Sequence, residues 1–276
     1  MEKIKKYFGG VEMSWKKVII LAIASAVITA GFNVIPALEY TSFQDIAVNL
    51  ECWFLFAVFI IMNCKSWKEA SVKTFVFFLI SQPLIYLFEV PFKAAGFSLF
   101  SYYKYWAIIT VLTLPGATAA YLVKKQNWLS AAVLFVATGY LAYQSVIYLK
   151  SVVFSFPHHL LSCIFCIITA LVFIFALIED KKKRAVLLIL TAAVFIASFF
   201  FVIAGADRKE VIDLGEGSWS CEVENEEIID AQILGSSVEV RAEKNGYSYL
   251  YCTNGSGETK EFYVTVSGGE LWIDAL

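Results

Sequence analysis

The stretch Ile167-Ile168-Thr169-Ala170-Leu171-Val172-Phe173-Ile174-Phe175-Ala176-Leu177-Ile178 runs into Glu179-Asp180-Lys181-Lys182-Lys183-Arg184 and then back into Ala185-Val186-Leu187-Leu188-Ile189-Leu190. Twelve residues with one hydroxyl and no charge, a six-residue charged turn and a second apolar run make two helices that cross a bilayer. A helix needs about 20 predominantly apolar residues to cross the hydrocarbon core, and the runs over 158–178 and 185–204 reach that length. Five further runs stand ahead of them, at 18–36, 45–63, 72–91, 105–123 and 128–148. The sequence therefore predicts an all-α polytopic membrane domain of seven transmembrane helices, followed by a small all-β tail.

Composition agrees with this. The chain of 276 residues is 59% hydrophobic and 17% charged, with a mean hydropathy of +0.69, whereas soluble domains carry about a quarter charged residues. The expected organisation is a basic N-terminal segment over 1–17, a membrane domain over 18–205 and a β domain over 206–276. Ala24-Ser25-Ala26 resembles a leader cleavage site, but apolar sequence continues to Leu38. That exceeds a signal h-region, so the first run is read as a span.

The cations are sorted by side. Lys3, Lys5, Lys6, Lys16 and Lys17 precede the first span, Lys65, Lys68 and Lys73 follow the second, Lys124 and Lys125 the fourth, and Lys181 to Arg184 the sixth. The alternate connections hold only Lys93, Lys104 and Lys150. Positively charged connections stay on the cytoplasmic side, which predicts a cytoplasmic N-terminus and, after seven crossings, an extracytoplasmic tail. Trp15, Trp67, Trp106 and Trp128 fall at predicted span ends, where an indole prefers the interface.

In the tail, Ser237-Val238-Glu239-Val240-Arg241-Ala242 and Glu261-Phe262-Tyr263-Val264-Thr265-Val266 alternate with period two, as half-buried strands do. Thr253-Asn254-Gly255-Ser256-Gly257-Glu258-Thr259 has the Asn-Gly dipeptide of a hairpin loop. This turn explains Asn254-Gly255-Ser256 better than a glycosylation sequon does. Six or seven strands fit, arranged as a small sandwich. Cys221 and Cys252 either pair across the two sheets or remain free thiols.

The run Gly246-Tyr247-Ser248-Tyr249-Leu250-Tyr251-Cys252, its glycine-rich turn and Phe262-Tyr263-Val264-Thr265-Val266 resemble the last two strands of bacterial immunoglobulin-like domains. Trp219-Ser220-Cys221 and the strand Val238 to Ala242 fit the same pattern, so the resemblance covers about 60 residues. It departs at the tyrosine corner, since Leu250 stands two residues before Cys252. The resemblance implies an immunoglobulin-like sandwich, a bacterial cytoplasmic membrane, and a domain that binds surface partners or serves as a spacer.

Polar residues inside spans are costly and face the bundle interior or a water-filled cavity. Ser25, Thr29 and Asn33 recur every four residues in the first span. Glu51 lies deep in the second. Gln82, Tyr86, Glu89 and Lys93 share one face of the third, and Tyr140, Gln144 and Tyr148 align on the fifth. His159, Cys163 and Cys166 are expected on one face of the sixth. Nearly all lie toward the extracytoplasmic side, as do Pro36, Pro83 and Pro115, whereas the inner halves are apolar. This predicts an outward polar pocket on an apolar floor, with Asn33, Glu51, Gln82, Tyr86, Glu89, Gln144 and His159 as ligand-binding residues. Glu51 should be protonated or paired, with Lys93 or His159 as partner.

The Cys163-Ile164-Phe165-Cys166 pair is a candidate redox pair near the outer face, though two small packing residues account for it more simply. His158 and His159 are adjacent, about 100° apart on a helix, so no metal site is expected, and nothing predicts a cofactor or a nucleic-acid partner. The expected partners are the lipid bilayer and, through the tail, an extracytoplasmic protein or glycan. Three functional classes remain open: a non-enzymatic envelope protein that binds a ligand or partner, a small-solute transporter, and a membrane enzyme acting on an envelope lipid or thiol. The chain has no internal repeat, which weighs against transporter folds built from duplicated halves.

Overall fold

The computed structural model describes residues 6–38, 41–154, 156–157, 159–204, 209–267 and 270–276. His158 and residues 205–208, where the sequence puts the boundary before the tail, lie outside them. Contacts divide the chain into two compact units, residues 1–145 with 161–195 and residues 146–160 with 196–276.

The helices are α1 (Trp15–Val34), α2 (Ser42–Val48), α3 (Leu50–Met62), α4 (Trp67–Glu89), α5 (Phe100–Tyr121), α6 (Trp128–Phe154), α7 (Leu160–Leu177) and α8 (Lys181–Phe199). The first turns of α1, α4, α6 and α8 are capped by local side chains. Ser14 Oγ accepts from Lys17 N at the start of α1. At α4, Ser66 Oγ accepts from Glu69 N while Glu69 Oε2 accepts from Lys65 N, so two orphan backbone donors are satisfied together. Asn127 Oδ1 accepts from Ser130 N ahead of α6, and Asp180 Oδ1 from Lys182 N and Lys183 N ahead of α8. These backbone bonds hold the exposed Asp180 carboxyl below its ordinary range.

Among the described residues six helices are long and apolar enough to cross a membrane: Trp15–Val34, Trp67–Glu89, Gly96–Lys125, Trp128–Val153, Leu160–Leu177 and Lys181–Val202. The stretch read as a span over 45–63 is the pair α2 and α3, bent by 49°, which makes a seventh span if the pair crosses as one. The break is at Asn49, whose backbone is extended (φ −78°, ψ 161°) and whose N–H closes α2 on Asp45 O at 2.8 Å. Asparagine competes poorly inside helices and well at their starts, which suits this position. At 1.5 Å per residue, α3 alone is about 20 Å long, short of the roughly 30 Å hydrocarbon core. Trp106 also departs from expectation. Because the helical stretch begins at Gly96, it lies well inside rather than at an end, and its ring packs on Trp53 at 6.0 Å.

One end of the helical unit is basic and tightly tied. Asn63, just after α3, accepts from Gly9 N and Val11 N at 2.9 Å and donates to Tyr7 O at 2.6 Å. Phe8 packs edge-on against Phe59 and Phe173. Lys73 donates to Met13 O, Lys124 to Cys64 O, and Tyr121 to Lys65 O. Gln126 reaches Leu177 O at 2.7 Å, and Lys183 reaches Gln126 O. The chain before α1, the ends of α3, α5 and α7 and the starts of α4, α6 and α8 therefore meet at this end. The far end joins Asn33 at the close of α1 to Glu89 at the close of α4. Thr29 Oγ1 reaches Ala47 O of α2 at 3.4 Å. The bent pair thus runs from the far end back to the basic end.

The second unit carries β1 (Lys209–Asp213), β2 (Trp219–Val223), β3 (Ile229–Leu234), β4 (Ser237–Ala242), β5 (Gly246–Asn254), β6 (Thr259–Ser267) and β7 (Glu270–Ala275). They form two antiparallel sheets, ordered β1-β4-β3 and β2-β5-β6-β7. Period-two alternation buries Val238, Val240 and Ala242 from β4 and Phe262, Val264 and Val266 from β6 around Leu250 and Trp219. The loop after β5 is built on Asn254, whose Oδ1 accepts from Ser256 N and Glu258 N.

Cys221 and Cys252 are bonded, but within one sheet. The antiparallel register of β2 and β5 places them directly opposite each other, with Cα atoms 4.2 Å apart. The pairing across two sheets is therefore corrected to a cross-strand bridge.

Candidate ligand-binding site

Two cavities adjoin at the far end of the helical unit, sharing Asn33, Val48 and Glu89. The outer one, of about 390 Å³, is polar and adds Gln44, Asp45, Asn49 and Lys93. The inner one, of about 360 Å³, is walled by aromatics, among them Trp53, Tyr86, Tyr102, Tyr105 and Trp106, with Gln82 among its lining residues. Each is of the size that accommodates a small molecule.

Glu89 stands at the junction, 5% exposed, its Oε1 accepting from Asn33 Nδ2 at 2.7 Å. Among the described residues no ammonium or guanidinium forms an ion pair with it. Gln82 is 1% exposed, and its Nε2 has no hydrogen-bond partner among the described residues. Asn33 Oδ1 is likewise buried without one. A buried donor or acceptor left unmade costs about 1–3 kcal/mol, and the residues lining the inner cavity include the Glu89 carboxyl group and two side chains that each hold one buried, unmet polar atom.

Four of the seven ligand-binding residues expected from the sequence therefore line this space: Asn33, Gln82, Tyr86 and Glu89. Glu51 and Gln144 pair with each other elsewhere in the unit, Gln144 Nε2 donating to Glu51 Oε1 at 2.7 Å. Tyr140 OH is 3.5 Å from the same oxygen. The partner of Glu51 is thus a neutral amide, in place of the Lys93 or His159 expected.

His159 belongs to the other unit. It precedes α7 with a left-handed backbone (φ 63°) and stacks on Tyr148 at 6.3 Å, so it shares no helix face with Cys163 and Cys166. Those two cysteines are buried free thiols inside α7. At the basic end, burial pushes the Cys64 thiol up to about 11, and Glu69 adds to the effect. Among the described residues no group of three His, Cys, Asp or Glu side chains is placed to hold a metal ion.

Sequence reasoning missed the aromatic wall. Its signal was present in Tyr102-Tyr103-Lys104-Tyr105-Trp106, a density of rings beyond what an interfacial belt needs. Asp45 was missed as well; its carboxylate accepts from Ser162 Oγ at 2.8 Å and lines the outer cavity. Comparison with protein-family models, with curated proteins and with solved structures returns no match.

Proposed function

We propose that this chain is a multi-pass membrane protein whose helical part binds a small ligand in the cavity at its far end, facing out of the cell. The carrying observation is Gln82, buried at 1% exposure on an aromatic-walled cavity with its Nε2 unpartnered. A ligand that accepts from Gln82, donates to Asn33 and stacks on the rings would remove the cost of both unmet groups. Binding is favoured over catalysis because Glu51, the deepest carboxylate, is held by Gln144, and the Cys163 and Cys166 thiols are buried. It is favoured over transport because the segment from Tyr7 to Met13 is bonded across the opposite end.

The orientation follows from charge. If the bent pair crosses as one span, connections on the N-terminal side carry 14 cations and the others 3. If it does not cross, the division becomes 8 against 9 and the bias vanishes. Seven crossings put the β domain outside, where a Cys221–Cys252 bridge persists.

The strand order supports an immunoglobulin-like reading of that domain. With β1, β4 and β3 as strands B, E and D, and β2, β5 and β6 as C, F and G, no strand A is present among the described residues and β7 is added. Its disulfide then joins C to F rather than B to F.

Two measurements test the proposal. In a chain with Cys52, Cys64, Cys163 and Cys166 replaced by alanine, an impermeant maleimide applied to intact cells should label Asn33→Cys and spare Gln126→Cys. The reverse pattern overturns the orientation. Native mass spectrometry of the purified wild-type protein should show a retained small molecule that is lost in Glu89→Gln; only the bare chain in the wild type overturns ligand binding.

A further inference from the structure

The outer face of the four-stranded sheet has a composition unlike the rest of the molecule. Antiparallel register places Glu222, Tyr251 and Glu261 side by side across β2, β5 and β6. The next row places Tyr249 beside Tyr263 and Asp274, and the one after it Tyr247 beside Thr265 and Trp272. All alternate with core residues, so they share the solvent side. Tyr247 and Trp272 are each 62% exposed. Tyr249 and Tyr251 lie nearly parallel at 16°, with centroids 6.2 Å apart, and Tyr263 is 5.3 Å from Tyr249.

This face is rich in carboxylates, and the one cation paired with it among the described residues is Lys150, 3.3 Å from Glu270 at its edge. None of Glu222, Glu224, Glu261 and Asp274 is ion-paired among the described residues, although Lys209, Arg241 and Lys244 of the same unit pair with Glu239, Glu243 and Glu227. Lys260 turns away, donating to Leu214 O and covering the Trp219 ring at 5.2 Å. From 209 to 276 the chain has 14 acidic and 4 basic residues. Exposed rings bracketed by unpaired carboxylates suit a planar cation, because a guanidinium stacks on an aromatic face and binds a carboxylate with two donors.

The geometry points to this sheet face as a docking surface for an arginine-bearing peptide segment of a partner protein. The site goes beyond the cavity reading and stands independently of it. Arginine is favoured over lysine because the compact ammonium lacks the plane that stacks and the paired donors. An uncharged glycan would use the rings but leave the four carboxylates without the cation they lack.

The test uses the full chain in phosphatidylcholine nanodiscs, with fluorescein-labelled hexa-arginine and hexa-lysine read by anisotropy. Hexa-arginine should bind about threefold or more tighter than hexa-lysine. Glu222→Gln with Glu261→Gln should weaken it about tenfold, and Tyr249→Leu several-fold at unchanged charge. Glu226→Gln with Glu227→Gln, which removes the same charge off this face, should leave affinity within about twofold. Limited proteolysis checks that each variant stays folded, and the substitutions at exposed Glu222 and half-buried Glu261 stand if Tyr249→Leu does not. No binding, equal affinity for the two peptides, or equal loss in the Glu226 and Glu227 control overturns the proposal. So does chitotetraose binding that survives the Glu222 and Glu261 substitutions.

Discussion

Gln144 donates to one carboxylate oxygen of Glu51 at 2.7 Å and leaves the other, Oε2, buried without a partner. A carboxyl group at 1% exposure with one firm hydrogen bond is a point of stress in the helical unit.

Removing the donor should therefore cost more than replacing the carboxyl group by an amide. Gln144→Leu leaves Glu51 with only the 3.5 Å contact from Tyr140 among the described residues, and a buried polar group left without its partner costs about 1–3 kcal/mol. Glu51→Gln keeps an acceptor for Gln144 and should be neutral or stabilising. Thermal unfolding of the detergent-solubilised protein should rank Gln144→Leu lowest; a wild-type melting temperature for that variant would contradict the pairing.

Gln82→Leu separates a binding role from a packing role. Without ligand, exchanging an unpartnered buried amide for an apolar side chain of similar size should stabilise the protein by about 1 kcal/mol. The retained small molecule should be lost in the same variant. A less stable variant would show that Nε2 has a structural partner.

The Cys221–Cys252 bridge closes a separation of 31 residues. Cys221→Ser with Cys252→Ser should cost about 3–4 kcal/mol in the β domain on the loop-entropy account. The melting temperature of that domain with and without reductant measures this, and the helical unit should be unaffected. A reductant-insensitive transition would count against the bridge.

Asn63 makes three hydrogen bonds to the segment from Tyr7 to Val11. Asn63→Leu removes them all and should expose that segment, seen as faster amide exchange over residues 7–13. Gly10→Ala should act alike, because its Cβ would stand 2.5 Å from Lys6 O. Unchanged exchange in both variants would mean that Phe8 and the Lys73–Met13 contact anchor the segment without Asn63.

Much of this architecture is legible in the residues because hydrophobic length and period-two alternation act locally. The apolar helices, the strands β4 and β6 and the Asn254 turn follow from neighbours along the chain. The bend at Asn49 was not legible, since one polar residue in an apolar run interrupts a helix only where packing accepts it. Helical spacing brought Gln82, Tyr86 and Glu89 together but could not place α1 beside α4, on which the Asn33–Glu89 bond depends. For the same reason Glu51 and Gln144, 93 residues apart, could not be seen as partners. The site of the disulfide also depended on register: one residue of slip between β2 and β5 would turn the two thiols apart.

Asn63 is made later than the residues it grips, which sets an order on biosynthesis. While a ribosome has built only the first helix, Tyr7, Gly9 and Val11 have nothing to bind. The latch closes when the second half of the bent pair emerges, so a nascent chain arrested before Asn63 should keep its leading residues open to protease, and one arrested well beyond it should not.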